Sequence, residues 1–411
     1  MSAAGNCSGC GLCSLLDPHI EMGLDSLGFN RPIARSHHAE EPEFPPALDI
    51  FEASCPGVRV RARQDESAIR DSTFGPAVST WEAWAADADQ RFAGSSGGTI
   101  TALASWFLGS GIAHRVTGAR SDETNPRRTV PISITSRDEA LGLSGSRYAP
   151  VSALANPDVL KSSSVVIGKP CEASALRQAL DTGKLDTGPS HPVILSFFCA
   201  GVPSQSSTDE LIRTLGLDPE LVSSLRYRGQ GWPGDFVASD EAGQTVRTTY
   251  QHSWGTALGP TMQWRCKICP DGVGESADIV AGDFWRTDAD GYPAFDSQDG
   301  VSVLIARTRR GHDLLMEAVA AEAICARPMD ISSLYPVQPL QVERRQQLFG
   351  RMIGARLAGQ RPPRYLGFGL LRLGLRNPYR RILRPLLGTL LRARRGRRRR
   401  DSSTIQKSET R

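Results

Sequence analysis

Short apolar runs alternate with helix-forming segments through the middle of the chain. Residues 165–167 (VVI) and 193–198 (VILSFF) have the length and apolar content of buried strands. Residues 99–108 (TITALASWFL) and 172–180 (EASALRQAL) have the composition of helices, and Ser207 begins the S-x-x-E spacing of a capping box that would open another helix. Strands that alternate with helices predict an α/β fold.

The start of the chain follows a different pattern. Residues 1–60 are rich in Gly and Pro and show no sustained helical period. Such a segment can be held by a metal site instead of a core of its own. We therefore predict a small irregular N-terminal module at 1–60 and a mixed α/β core domain at 61–345.

The basic character of the chain is concentrated in a tail, residues 361–411. This segment carries 16 Lys and Arg against 2 Asp and Glu, a net charge of +14. Because the whole chain has a net charge of +4, residues 1–360 carry a net charge of −10. Pro378 and Pro385 are expected to break it into short pieces, and 401–411 has the composition of a disordered segment. Its interleaved Leu and Arg fit a solvated extension or an anionic membrane surface; we expect no nucleic-acid partner.

Composition narrows the class of protein. The hydrophobic fraction of 40% and the charged fraction of 22% are ordinary for a globular chain, and no run of about 20 apolar residues occurs. The first residues resemble no secretory signal. We expect a cytoplasmic protein, with the tail allowing peripheral contact with the inner face of the cell membrane. Reduced thiols in that compartment favour metal or catalytic use of the nine cysteines.

Three of those cysteines form a C-x-x-C-x-x-C run at Cys7, Cys10 and Cys13. This spacing lets a short loop converge three sulfurs on one metal centre, and the intervening glycines permit the tight turn. Ferredoxins place a fourth Cys-Pro four residues later, where this chain has Asp17 followed by proline. Cys55, also followed by proline, would supply the fourth sulfur. Ligation by Asp17 and a zinc knuckle remain alternatives.

A second possible group comprises Cys171, Cys199, Cys266 and Cys269. Cys171 and Cys199 directly follow the two predicted strands, and ligands bind beyond the carboxyl ends of strands in open α/β sheets. The last two form a C-x-x-C pair that could bind zinc or be redox-active, while the first two could be inert buried thiols. Cys325 belongs to neither group, and we expect it to be a buried thiol.

A glycine-rich turn precedes the helix predicted at 99–108. Its glycines and the helix N-terminus could receive a phosphate, although a serine-capped helix start is the commoner use of such residues. Asp283 follows another apolar run and could face a ligand or cap a turn.

Taken together, the motifs resemble the beta-subunit family of coenzyme F420 hydrogenases and dehydrogenases, which includes plant 7-hydroxymethyl chlorophyll a reductase. The matching segments occur in family order: 7–13 (CSGCGLC), 95–98 (SSGG), 145–148 (GSRY), 168–171 (GKPC), 198–201 (FCAG), 227–234 (YRGQGWPG), 265–271 (RCKICPD) and 277–283. Segments 28–32 and 55–57 are similar to bacterial members associated with surface polysaccharide synthesis, which concerns the biological context and identifies no substrate. We expect a small-molecule or glycan-related substrate. The tail lies outside the resemblance.

The resemblance implies a mixed α/β flavin domain with a ferredoxin-like N-terminal iron–sulfur module, binding FAD and two 4Fe–4S clusters. It implies an outer cluster on Cys7, Cys10, Cys13 and Cys55, and an inner cluster on Cys171, Cys199, Cys266 and Cys269. The flavin-contacting loops would contain Ser95, Ser96, Gly97, Gly98 and Thr99 together with Gly145, Ser146, Arg147 and Tyr148. Arg147, Lys169 and Arg228 are candidates for the flavin pyrophosphate or the reduced ring. No catalytic residue is indicated.

The function implied is an iron–sulfur flavoprotein oxidoreductase. Electrons would pass, in either direction, between a ferredoxin-like one-electron carrier or reduced F420 and an unidentified two-electron substrate. F420 could also be the substrate itself. The competing hypothesis is a zinc-stabilised, non-enzymatic scaffold that binds partners through a membrane-associating basic tail.

Overall fold

The computed structural model describes residues 5–35, 47–285, 299–376 and 379–409. The strands are β1 Ile20–Leu24, β2 Asn30–Ala34, β3 Arg59–Arg61, β4 Ile69–Asp71, β5 Gly75–Ala77, β6 Ser79–Ala85, β7 Arg115–Ser121, β8 Thr129–Ile134, β9 Ser164–Gly168, β10 Val193–Phe197, β11 Val222–Arg226, β12 Phe236–Asp240, β13 Thr245–Thr248, β14 Ile279–Asp283, β15 Ser302–Ala306, β16 Ile324–Pro328 and β17 Arg364–Leu366.

The α-helices are α1 Leu12–Leu16, α2 Leu48–Ser54, α3 Ala88–Ala93, α4 Thr99–Gly109, α5 Arg137–Gly142, α6 Pro170–Leu180, α7 Gln205–Thr214, α8 Trp264–Lys267, α9 Arg309–Ala320, α10 Leu334–Val337, α11 Pro339–Leu357, α12 Leu370–Arg376 and α13 Tyr379–Glu409. Short 3₁₀ turns occupy Ala153–Ala155, Pro157–Leu160, Pro219–Leu221, Gly259–Thr261 and Ile331–Ser333, and a π-helical stretch occupies Gln251–Leu258.

The central sheet has the strand order β16-β6-β15-β14-β10-β9-β7-β8. Strands β7, β9, β10 and β14 run parallel, with Leu195 opposite both Ile167 and Ile279. The outer pairs are antiparallel, which makes β6 parallel to the central four. The carboxyl ends of β6, β7, β9, β10 and β14 therefore share one edge of the sheet. This arrangement confirms the α/β prediction.

Alternate side chains of the buried strands enter two different apolar layers. Val165 packs with Leu103 and Phe107 of α4 on one face. Val166 packs on the other face with Leu176 of α6, together with Leu12 of the N-terminal segment. Because successive side chains of β9 point to opposite faces, this strand packs against helices on both faces of the sheet.

The N-terminal segment is more regular than the sequence suggested. It contains the antiparallel β1–β2 pair and two short helices, α1 and α2. Leu12 and Ile50 are 1% and 5% exposed and share their apolar cluster with Leu154 and α6. Hydrophobic contact with the core domain therefore contributes to holding this segment, beyond any metal site.

Two sequence-based boundaries are wrong. Helix α7 is capped by Ser204, whose hydroxyl accepts a hydrogen bond from the Ser206 amide, so the helix starts earlier than a cap at Ser207 would allow. Helix α13 runs through Pro385 and on to Glu409, where breaks and disorder were expected. Pro378 lies outside the described residues.

Packing against α11 accounts for the course of α13. Gly350 and Gly354 of α11 lie under the carbonyl groups of Ile382 and Leu386, where any Cβ would collide with them. This close approach gives α13 extensive tertiary support, which can offset the cost of an internal proline. Among the helices described, none is both long and apolar enough to cross a lipid bilayer.

Candidate functional site

All nine cysteines are described, and all are free thiols. Cys7 and Cys10 lie on the loop that enters α1, Cys13 lies in the first turn of α1, and Cys55 directly follows α2. These four residues line a single cavity of about 280 Å³. The structure therefore brings together the four outer cysteines that the sequence separates by more than forty positions.

Local backbone geometry produces this convergence. Gly9 and Gly11 have φ values of +72° and +91°, which allow the loop to turn between its cysteines. A side chain at Gly11 would collide with the backbone of Ala155, so glycine is also required for the approach to the core domain. Asp17 lies on the same cavity wall, but its Oδ1 accepts hydrogen bonds from the backbone amide and Nδ1 of His19, at 2.8 and 3.0 Å.

Burial governs the charge state of the outer thiols. It raises the pKa of Cys13 and of Cys55 to about 11, and neighbouring cysteines contribute to both shifts. Burial and the proximity of Cys55 hold the pKa of Cys10 well above its usual range. These three thiols are therefore protonated at neutral pH, and a bound cation would have to compensate for the charge of their thiolates.

The cavity dimensions bear on which metal centre would fit. A single zinc ion lies about 2.3 Å from each of its sulfur ligands, which leaves almost no open space between them. The four outer cysteines instead surround a cavity large enough for a multi-atom cluster. Within the described part of the chain, no three or more His, Cys, Asp or Glu side chains are arranged to hold one metal ion.

The inner cysteines meet at the carboxyl edge of the sheet. Cys171 lies in the first turn of α6 directly after β9, and Cys199 follows β10, as the sequence predicted. Cys266 and Cys269 flank the end of α8. Burial, then the proximity of Cys266 and Cys269, raises the pKa of Cys199 to about 12, which locates these three sulfurs together.

The two cysteine groups adjoin each other. The backbone amide of Leu154 donates to the carbonyl of Cys10 at 3.1 Å, and Gln263 Nε2 donates to the carbonyl of Ser8 at 3.0 Å. Burial raises the pKa of Cys171 well above its usual range, and both Glu172 and Cys10 of the outer group add to the shift. The outer module is thus docked against the inner cysteines.

Buried cations surround the inner cysteines, and sequence reasoning missed two of them. Arg344 donates to the carbonyls of Cys199 and Ala200 at 2.8 and 2.5 Å, and Arg265 immediately precedes Cys266. The position of Arg265 next to the C-x-x-C pair could have been recognised from the sequence. Arg344 is 145 residues from Cys199, so only the fold brings it there.

The two loops predicted to contact flavin do meet. The Ser95 hydroxyl accepts a hydrogen bond from the Ser146 amide, and a Cβ at Gly145 would lie 2.9 Å from the Arg228 carbonyl. The glycines at 97 and 98 are required by close packing against β6 and α3, which explains them without a ligand. Thr99 Oγ1, at the start of α4, is buried and has no partner among the described residues.

The other residues of these loops also have defined surroundings. Ser96 donates to the Val301 carbonyl at 2.7 Å. Tyr148 packs against Trp254, with ring centroids 4.8 Å apart, and belongs to the aromatic cluster that contains Tyr227. These contacts hold the loops at the sheet edge in fixed conformations.

The three cationic candidates differ in availability. Arg147 donates to three backbone carbonyls and to the Thr129 hydroxyl, so each nitrogen of its guanidinium already has a partner within the protein. Lys169 is buried and contacts Glu172 and the Val151 carbonyl. Arg228 is 2% exposed, yet its Nη2 has no partner among the described residues.

Arg228 lies in an aromatic enclosure. Its guanidinium carbon is 4.7, 4.7 and 5.1 Å from the ring centroids of Trp232, Tyr250 and Trp285. Its Nη1 pairs with Asp283 Oδ2 at 2.6 Å. Asp283 therefore faces an arginine, and neither of the two alternatives considered from the sequence describes its contact.

Cys325 lies outside both groups, as expected. It is on β16, the edge strand at the end of the sheet beyond β6, opposite Trp84. It is partly buried, whereas the sequence suggested a buried thiol.

Comparison with known proteins identifies related chains. Two models of the family "Coenzyme F420 hydrogenase/dehydrogenase, beta subunit" match this chain, the N-terminal model at residues 80–156 and the C-terminal model at residues 162–332. The chain is 25% identical over 250 residues to the coenzyme F420 hydrogenase subunit beta of Methanothermobacter thermautotrophicus, covering 57% of this chain and 78% of that protein.

A solved structure shares the fold. A chain of the F420-reducing [NiFe] hydrogenase complex from Methanosarcina barkeri superposes with a TM-score of 0.52 at 22% identity. The match covers 67% of this chain and 91% of the other. At this level of identity the likeness concerns the fold alone.

Proposed function

The chain belongs to the coenzyme F420 hydrogenase/dehydrogenase beta-subunit family, and from this premise we propose that it is an iron–sulfur flavoprotein oxidoreductase. It would transfer electrons between a ferredoxin-like carrier or reduced F420 and a small-molecule or glycan-related substrate, with F420 as an alternative substrate. The observation that carries the proposal is the adjacency of two four-cysteine groups, one of them around a cavity of about 280 Å³.

In this proposal Cys7, Cys10, Cys13 and Cys55 hold one 4Fe–4S cluster, and Cys171, Cys199, Cys266 and Cys269 hold the other. Such clusters, when bound, supply one-electron steps, and FAD supplies the two-electron chemistry. Cys7, Cys13 and the four inner cysteines are all partly exposed, so exposure does not distinguish the two groups. We propose the N-terminal group as the side that meets a protein carrier. The loops at 95–99 and 145–148 would hold the flavin.

Arg228 is our preferred residue for the flavin. Its unpartnered Nη2 can donate to a pyrophosphate oxygen or to an anionic ring, whereas Arg147 and Lys169 already use their donors within the protein. The unpartnered Thr99 Oγ1 at the N-terminus of α4 is the second available polar group. Asp283 would keep the Arg228 guanidinium oriented.

Metal and flavin analysis of anaerobically purified protein tests the proposal. We expect about eight irons with matching acid-labile sulfide and one FAD per chain, and a yellow-brown colour. Two zinc ions, no iron and no flavin would refute the oxidoreductase and support the zinc-stabilised scaffold instead.

We also propose that the protein is cytoplasmic and that its tail brings it to an anionic membrane surface. Because α13 contacts α11 through Ile382 and Leu386, the opposite side of α13 faces outward. That side carries Leu383, Leu387 and Leu391, which are 50%, 54% and 54% exposed. Exposed arginines lie beside this leucine row at 380, 384 and 394.

A leucine row flanked by arginines suits a bilayer interface, since the leucines enter the acyl region while the arginines reach lipid phosphates. Burying the exposed half of each leucine contributes roughly 1 kcal/mol, or about 3 kcal/mol for the row. Replacing all three leucines by serine should therefore weaken vesicle binding about 100-fold.

Sedimentation with vesicles of phosphatidylglycerol and phosphatidylcholine tests this association. The full chain should bind these vesicles and not pure phosphatidylcholine, and added salt should weaken binding. Leu221→Ser is a matched control, because Leu221 is 60% exposed on a different surface. Equal sedimentation of the triple-leucine variant and the Leu221 variant would refute the membrane role.

A further inference from the structure

Arg265 is a fully buried arginine located between the two cysteine groups. It is 2% exposed and immediately precedes Cys266 of the inner group. Its Nε and Nη2 donate to the same acceptor, the Pro56 carbonyl, at 3.2 and 3.1 Å. Pro56 directly follows Cys55 of the outer group, so one side chain joins the two sites.

The third nitrogen of this guanidinium is unused. Nη1 is buried and has no hydrogen-bond partner among the described residues. The guanidinium also lies near the ring of Tyr365, 5.6 Å from its centroid, and the Tyr365 hydroxyl donates to the carbonyl of Ile268 at 2.6 Å, between Cys266 and Cys269. The side chain is therefore fixed by both sites, with Nη1 left for the inner sulfurs.

An unpaired donor on a buried cation is costly, and native structures keep such groups where a ligand or cofactor satisfies them. The inner sulfurs are the nearby acceptors: Arg265 adjoins Cys266 in the chain, and its side chain lies within hydrogen-bonding reach of Cys269 and close to Cys171. Hydrogen bonds and positive charge at cluster sulfurs stabilise the reduced, more negative state.

We infer that Arg265 is a positioning residue that couples the two sites: it fixes the outer module against the inner cysteines and raises the reduction potential of the inner site. The inference rests on the proposed function, because it requires a redox cluster at the inner cysteines. The step concerned is the uptake of one electron at that site, supplied in the assay by dithionite and removed by ferricyanide. No proton or bond change is required.

The test is a reductive titration of the intact holoprotein, followed by optical and electron paramagnetic resonance spectra. Arg265→Met should lower one of the two midpoint potentials and leave the other within error. Arg265→Lys keeps the charge but loses the two-pronged contact with Pro56, so its potential should lie between those of the wild type and the methionine variant.

Arg59→Met is the matched control. Arg59 donates to the Ala53 carbonyl at 2.8 Å, two residues before Cys55, and so also secures the outer module with an arginine. It should leave both potentials unchanged. Iron content and circular dichroism are measured for every variant. If Arg265→Met misfolds, the potentials of Arg265→Lys decide the test.

The outcomes separate two failures. A wild-type protein without iron would overturn the proposed function itself. Iron-loaded Arg265 variants whose two potentials equal those of the wild type would overturn only the role of Arg265. An equal fall in both potentials would also overturn the role of Arg265, because its charge would then not act specifically on the inner site.

Discussion

The buried pair of Lys169 and Glu172 provides a sharp test of how the loop before the inner cysteines is held. The two side chains are 8% and 1% exposed, and Nζ lies 2.5 Å from Oε1. Glu172 also accepts the backbone amides of Ala153 and Lys169, at 3.1 and 2.8 Å. The pair thus ties the strand-to-helix turn at Cys171 to the segment that contacts Cys10.

Replacing Glu172 by glutamine would leave the ammonium buried without a counter-charge, with only neutral carbonyl oxygens, such as that of Val151, as acceptors. Breaking a buried ion pair in this way destabilises a protein by about 3–5 kcal/mol. Lys169→Met should cost less, since the remaining carboxylate keeps two amide donors. The double variant should recover about 1–3 kcal/mol relative to the sum of the single variants.

Urea unfolding of the metal-free protein, followed by circular dichroism, measures this double-mutant cycle. A control cycle pairs Arg213→Met with Glu210→Gln, an exposed pair in which we expect less than about 1 kcal/mol of coupling. A Lys169–Glu172 coupling as small as that of the control would refute the reasoning. Lys169 would then be available to a ligand, and its candidacy for the flavin pyrophosphate would return.

Three further predictions concern other parts of the molecule. In the metal-free protein, Cys13 and Cys55 have pKa values raised to about 11, so between the ordinary thiol pKa and pH 11 the folded state binds more protons than the unfolded state. The free energy of unfolding should therefore fall across that range by roughly 1–2 kcal/mol per thiol. Equal urea midpoints at pH 8 and pH 11 would contradict this. Gly354→Leu should displace α13 and lower the free energy of unfolding, measured by thermal unfolding, by about 1–3 kcal/mol. Gly142→Leu should lower it much less, because the added side chain meets open space. Equal losses of stability in the two variants would contradict the role of Gly354. Arg228→Met should weaken FAD binding about 10–100-fold by equilibrium dialysis, through loss of one charge-assisted hydrogen bond, and unchanged affinity would remove Arg228 from the flavin site.

The cysteine positions at the sheet edge were predictable because they depend on local signals. Strands β9 and β10 are short β-branched or apolar runs, and parallel strands end at one edge, so Cys171 and Cys199 had to meet there. Helix α4 was equally clear from its apolar composition. These features need no knowledge of distant contacts.

Features that depend on distant contacts were missed. The N-terminal segment appeared coreless because Leu12 and Ile50 bury their side chains in another part of the chain. Helix α13 was expected to break at Pro385, since the two glycines of α11 that support it are about thirty residues away. Arg344 reaches Cys199 only through the packing of α11.

The iron content of single-cysteine variants shows whether the chain holds two separate four-cysteine clusters. Anaerobically prepared wild-type protein should hold about eight irons, while Cys55→Ala and Cys269→Ala should each hold about four, with the double variant near zero. The Cys325→Ala variant should match the wild type. If Cys55→Ala kept the full iron complement, or if Cys55→Ala and Cys269→Ala removed the same irons, the account of two separate four-cysteine sites would be contradicted.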